Sequence, residues 1–176
     1  MREPAVHTPY IMSFYRRNYI KGGTFFFTVK LADPKSNLLI EHIDLLRETY
    51  QFVQQKYPFK TEAICILPNH IHCIWTLPEN DSDYSLRWRL LKTRFSSHFQ
   101  AKSHLSSSKQ RRKEKGIWQR RFYEHTIRDD KDFENCVNYI HYNPVKHGWV
   151  ENVKDWQFST FHQYVRNQIY PANWGS

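Results

Sequence analysis

The pattern of this chain predicts an α+β protein: a ferredoxin-like (RRM-like) sandwich, with an antiparallel sheet, two helices on one face and a third helix on the other. Three observations predict it. Short β-rich runs and helix-like runs alternate in the order β-α-β-β-α-β, with one further helix behind them. Two of the β-rich runs are separated only by the turn at Pro68-Asn69, which suits a hairpin. The second run of that hairpin reads His70-Ile71-His72-Cys73-Ile74-Trp75. Along a strand, residues i and i+2 share a side, so both imidazoles leave one face while Ile71, Cys73 and Trp75 enter a core on the other.

Taken in order, residues 1–12 read as an irregular arm with Pro4 and Pro9, and Met12 is an alternative start. Tyr15-Arg16-Arg17-Asn18-Tyr19 mixes aromatic and basic groups before a turn at Gly22-Gly23. Thr24 to Leu31 (TFFFTVKL) is aromatic and β-branched, hence a strand. Glu41 to Tyr57 carries Ile43, Leu46, Tyr50 and Val53 at helical spacing and is closed by Pro58. Thr61 to Leu67 and His70 to Leu77 are the hairpin strands, and Ser85 to Ala101 is a helix with basic polar positions. Residues 103–116 have low complexity and a run of Lys and Arg, which predicts a flexible basic loop. Trp118 to Arg128 is expected as a fourth strand. Asp129 or Asp130 caps a helix expected to run to about Tyr142 and to stop at Pro144. The tail, 151–176, is too aromatic to be free and is expected to pack on the body.

The 176 residues suit one domain, 1–176, with no linker dividing it. With 40% apolar residues, the chain can form a core. Lys plus Arg number 26 against 17 acidic residues, a formal charge of +9 that favours a polyanionic partner, nucleic acid first; solubility is the plainer reading. Cys65, Cys73 and Cys136 form no C-x-x-C pair, and their odd number reads as reduced thiols in a cytoplasmic protein. No apolar run approaches the roughly 20 residues of a membrane span, and the N-terminus has no signal-peptide core.

His70 and His72 at this spacing can share one metal ion, although two solvent-facing strand histidines also occur without one. In the helix after Asp130, Phe133, Cys136, Val137 and Ile140 define an apolar face. Tyr139 lies on its shoulder, with Asn143 four residues further along the same side. Tyr139 is thus a candidate nucleophile and Asn143 a candidate third, oxygen-donating ligand; simple packing at a helix flank is the alternative for the tyrosine.

The segments LPNHIHCIWTLP (67–78), WQRRFYEHTIRD (118–129), NYIHYNPVKHGWV (138–150) and DWQFSTFH (155–162) together resemble the REP-associated tyrosine transposases, part of the HUH superfamily of single-tyrosine transposases. The opening YRRNYIKGGTFFFTVKL resembles theirs too, so the likeness runs from about Met12 to Tyr170. The basic stretch 103–116 and the N-terminal arm depart from it. The resemblance implies that His70 and His72 are the metal-binding pair, Tyr139 the nucleophile and Asn143 the third metal ligand. It also implies a divalent cation, Mg²⁺ or Mn²⁺, and single-stranded DNA with a REP-type hairpin as substrate.

In that chemistry the tyrosine attacks phosphorus, leaving a 5′-phosphotyrosine and a free 3′-OH. The bond energy is kept, so strands can be rejoined without a nucleotide cofactor. Tyr142 and Tyr123 are rival nucleophiles, and His125 and His141 are further candidates to accept the phenol proton. Phosphate contacts are expected from Arg16, Arg17, Arg87, Arg89, Lys92, Arg94, Arg111, Arg112, Arg120 and Arg121. Tyr15, Tyr19 and Trp174 can stack on unpaired bases. A monomer with no membrane partner is expected. A non-catalytic hairpin-binding protein on the same fold, and a phosphoesterase without a covalent step, remain as other readings.

Overall fold

The structure, a computed structural model, describes residues 17–101 and 105–175. Arg16, Tyr15 and the arm expected over 1–12 lie outside the described residues. In chain order the elements are β1 (Thr24–Lys30), α1 (Leu38–Glu41), α2 (Ile43–Lys56), β2 (Lys60–Ile66), β3 (His70–Thr76), α3 (Tyr84–Ser97), α4 (Ser107–Arg111), β4 (Tyr123–Thr126), α5 (Asp130–Lys146) and α6 (Phe161–Arg166), with a 3-10 turn at Val153–Asp155. The sheet runs β2-β3-β1-β4, and every neighbouring pair is antiparallel. This is the ferredoxin-like order: the hairpin β2-β3 places β3 beside the first strand, and β4 closes the far edge.

Both faces of the sheet are packed. Phe25, Phe27, Val29, Ile71, Cys73 and Trp75 alternate into a core shared with Leu46 and Val53 of α2 and Trp88, Leu91 and Phe95 of α3. On the opposite face Phe26, Cys65 and Ile74 meet Val137 and Ile140 of α5. Strand-rich sequence therefore fixes which residues face the tyrosine helix, because side chains alternate strictly.

Three local features differ from the sequence reading. The helix carrying Tyr139 does not stop before Pro144 but continues through it to Lys146. The bonding resumes beyond the proline: His147 N–H donates to the Asn143 carbonyl and Trp149 N–H to that of Pro144. Asn143 therefore keeps helical geometry, one turn beyond Tyr139. The fourth strand is only four residues long; Trp118 makes an isolated bridge to Leu31, and the ladder resumes at Tyr123. The basic stretch 103–116 contains α4, and Lys115 Nζ donates to the carbonyls of Ser97 and Phe99 at the end of α3. The tail runs along the outer edge of β2. Ile66 N–H donates to the Phe158 carbonyl, Thr160 N–H donates to the Ile64 carbonyl, and Trp156 Nε1 donates to the Ile66 carbonyl. These bonds cover the outer edge of β2, which would otherwise be open for pairing.

Candidate active site

The open side of β3 and the first turns past the middle of α5 meet at one place. His70 and His72 leave the same face, with ring centroids 4.8 Å apart and planes nearly perpendicular. The Tyr139 ring stands edge-on to His72 at 5.2 Å and to Phe26 at 5.9 Å. Both histidines are buried, whereas Tyr139 is 40% exposed. A half-open tyrosine over a buried histidine pair gives a substrate access to the phenol but not to the pair's flanks.

Neighbouring groups hold both imidazoles by their Nδ1 atoms. Asn69 Nδ2 donates to the Pro34 carbonyl, which orients its amide, and Asn69 Oδ1 then accepts from His70 Nδ1 at 2.5 Å. His72 Nδ1 lies 2.8 Å from the Thr28 hydroxyl, its partner across the ladder. Donation from Nδ1 leaves the His70 Nε2 lone pair for a ligand, and the Thr28 contact holds the His72 ring in place, the kind of support that orients metal-binding histidines. Burial, then the nearby His147, lowers the His70 pKa to about 4. For His72, burial and then His70 lower it to about 3. Lys30, opposite His70 in the ladder, adds to both effects. Both imidazoles are therefore neutral, the form that binds metal.

Asn143 is fully buried, and among the described residues neither Oδ1 nor Nδ2 has a partner at hydrogen-bond geometry. Its carboxamide faces both imidazoles and opposes their pKa depression. Leaving a buried amide unsatisfied costs about 1–3 kcal/mol. An orphaned oxygen beside two neutral imidazoles is the donor set that a divalent cation such as Mg²⁺ or Mn²⁺ fits.

The other candidates are sorted by their contacts. Tyr142 is exposed, and among the described residues no ring contact joins it to the histidine pair; Tyr123 meets Phe26 at 6.2 Å. His141 turns the other way, buried against Phe161, Tyr164 and Tyr170, with Nε2 on the Thr160 hydroxyl. His125 Nε2 is paired with Asp132 at 2.8 Å. Asp132 also accepts the Arg128 N–H, and the Cys136 thiol is pushed up to about 11, chiefly by burial. His125, Asp132 and Cys136 bring their ligand atoms within 4.8 Å of one another. Their mutual bonds tie β4 to the first turn of α5 and so set where Tyr139 emerges. Neither histidine is free to serve the Tyr139 phenol.

The basic residues divide likewise. Arg17, Arg89, Lys92, Arg112 and Arg120 line one cleft of about 750 Å³ between α3 and the 112–122 segment. Arg111 and Arg121 are exposed beside it in sequence. Lys92 is a wall rather than a free contact: its Nζ donates to the Gln119 and Arg120 carbonyls, and burial lowers its pKa to about 8. Arg94 packs over Phe52 at 3.9 Å. Tyr19 stacks on Tyr84 and Trp174 on Tyr170, so both aromatics already have ring partners.

Arg87 is a correction. It is 1% exposed, and its guanidinium donates to the Tyr57, Pro58 and Asp83 carbonyls and to the Asp81 carboxylate. Such a group holds the loops around α3 and cannot reach DNA. Arg87→Ala should cost about 3 kcal/mol by stranding those acceptors. Calorimetry should register this as a melting temperature lower by roughly 6–12 °C, with the salt dependence of DNA binding unchanged.

Comparison with known proteins agrees with this fold. Residues 33–143 match the family model described as "Transposase IS200 like". The chain belongs to this family of transposases. Its relatives narrow the group. A REP-associated tyrosine transposase of Escherichia coli K12 is 49% identical, over 93% of this chain and 91% of its own length. A Haemophilus influenzae protein carrying that name provisionally is 50% identical, over 93% of this chain and 94% of its own length. A solved structure of a REP-associated tyrosine transposase bound to a REP hairpin superposes with a TM-score of 0.82 at 48% identity, covering 94% of this chain and 92% of that one. Within the family the chain is thus one of the REP-associated tyrosine transposases.

Thr28 and Asn69, which orient the imidazoles, escaped the sequence reading. Asn69 adjoins the histidine motif, but Thr28 becomes visible only once the β1–β3 register places it opposite His72.

Proposed function

We propose that the protein is a metal-dependent single-strand DNA endonuclease and strand transferase, acting on REP-type hairpin DNA through a 5′-phosphotyrosine on Tyr139. One observation carries the reading: Tyr139 stands 5.2 Å from His72, one helical turn before a buried Asn143 whose amide has no partner at hydrogen-bond geometry among the described residues. The hairpin comes from the relative solved with one bound.

His70, His72 and Asn143 would hold the cation, Mg²⁺ or Mn²⁺; when bound, it neutralises charge on the scissile phosphate and fixes its geometry. The chain's own residues do the rest. The Tyr139 oxygen forms a bond to phosphorus as the bond to the 3′ oxygen breaks; the phenol proton is released and the 3′ oxygen takes one up. Reversal by another 3′-OH joins strands, so no nucleotide cofactor is required. Phe26 and His72 hold the phenol ring by its edges, which limits its rotation before attack. The protein works where the DNA lies, in the cytoplasm, and one chain holds every part of the site, which suits a monomer.

The experiment is direct. Labelled hairpin DNA incubated with the protein and Mn²⁺ should yield a covalent protein–DNA adduct on a denaturing gel. Free fragments without adduct would mean a phosphoesterase, and a mobility shift without cleavage a binding protein.

Hairpin affinity should come from the cleft between α3 and 112–122. Arg89→Ala with Arg112→Ala should weaken binding and reduce the slope of log K against log salt by roughly 1.4–1.8, since each phosphate contact contributes about 0.7–0.9. Titrations at several salt concentrations measure this, and an unchanged slope would remove both arginines from the interface.

A further inference from the structure

Lys146 ends α5 seven residues after Tyr139, two helical turns on and so along the same side. Its Nζ lies 4.9 Å from the centre of the Tyr139 ring, over the ring face. The contact is specific to this tyrosine: the rival Tyr142 has no lysine over its ring among the described residues. Lys146 is exposed. Three groups now surround the phenol: Phe26 and His72 meet it edge-on, and an ammonium covers one face.

Neither edge contact comes from a lysine or an arginine. Lys30 and His147 lie by the histidine pair: Lys30 is across the ladder from His70, and the His147 ring is 5.3 Å from that of His70. Lys146 is therefore the cation placed against the nucleophile itself rather than against the metal-binding pair.

We infer that Lys146 is a charge-stabilising residue for Tyr139, offsetting the negative charge on the phenol oxygen as it attacks in cleavage and as it departs in joining. The inference rests on the reading of Tyr139 as nucleophile. Lys146 takes no part in the bond changes. In cleavage the Oη–P bond forms, the P–O3′ bond breaks, the phenol proton leaves to solvent and the 3′ oxygen gains one. In joining, the same bonds change in reverse. The ammonium supplies a fixed positive charge where negative charge develops, and its cation–π contact holds the ring in place for attack.

The test is single-turnover adduct formation with hairpin DNA and Mn²⁺ across a range of DNA concentrations. Lys146→Met should lower the saturating rate about tenfold, the effect of one charge near a partly exposed site. The DNA concentration giving half the maximal rate should stay the same, and Lys146→Arg should retain most of the rate. A change confined to that half-saturating concentration would make Lys146 a phosphate contact and overturn the inference; so would an unchanged rate.

A second measurement replaces Tyr139 by 3-fluorotyrosine, whose oxygen bears negative charge more readily. The gap between wild type and Lys146→Met should narrow, and a gap of the same size overturns the charge role. Tyr139→Phe runs alongside. Loss of the adduct there, with full rate in Lys146→Met, overturns the role of Lys146 alone. An adduct that persists in Tyr139→Phe overturns the nucleophile and the lysine together.

Discussion

Tyr139→Phe should abolish the covalent adduct, lowering its rate of formation by at least about four orders of magnitude, while hairpin binding stays near wild type. The size follows from the chemistry: the substitution deletes the attacking atom, and loss of a covalent nucleophile removes the pathway rather than slowing it. Selectivity follows from the geometry. The Tyr139 contacts with Phe26 and His72 are made by the ring, which phenylalanine keeps. No hydrogen bond from its hydroxyl is among those of the described residues, and the side chain is 40% exposed. Stability should therefore change by no more than about 0.5 kcal/mol. Tyr142→Phe and Tyr123→Phe serve as controls and should form adduct at rates close to wild type. Denaturing gels with end-labelled hairpin DNA give the answer, and an adduct in Tyr139→Phe equal to that of wild type would transfer the role to another residue.

The fold was legible because its signals are local. TFFFTVKL can alternate only as a strand, and Pro68-Asn69 leaves no room for anything but a hairpin; the observed sheet and its relatives agree with the expected class. The shared face of His70 and His72 was legible for the same reason, since i and i+2 in a strand are fixed by the pleat. What failed was local reasoning applied where tertiary packing decides. Pro144 was expected to end the helix, yet Val137, Ile140 and Pro144 are all buried, and that packing holds the last turn despite the lost amide. Arg87 has the composition of a DNA contact and the position of a core residue. Nothing in its neighbours Leu86 and Trp88 marks the difference, which depends on carbonyls at Tyr57 and Pro58 some thirty positions away. Thr28 was invisible until the register was known.

Asn143→Leu should have two opposite effects, and their combination is a sharper test of the metal reading than loss of activity alone. In the metal-free protein the buried amide has no partner at hydrogen-bond geometry for either polar atom among the described residues. An apolar side chain of similar size removes that penalty, so the variant should be more stable without metal by about 1–3 kcal/mol. With Mn²⁺ the order should reverse. A cation held by His70, His72 and Asn143 at a hundred times its dissociation constant stabilises the folded state by about 2.7 kcal/mol, and the variant should lose most of that gain. His70→Ala and His72→Ala remove imidazole ligands outright. Each should eliminate the Mn²⁺-dependent rise in melting temperature and cut adduct formation by roughly 10³-fold or more, as should a chelator added to wild type. Hairpin binding should survive in all three variants, because the arginines assigned to it line the cleft between α3 and 112–122 and none belongs to this site. Melting curves with and without Mn²⁺ separate the alternatives. If Asn143→Leu is destabilised without metal and still gains full stability from it, the amide is structural and the third ligand must be sought elsewhere. If chelation leaves the wild-type rate intact, the two imidazoles hold no cation that matters to the reaction.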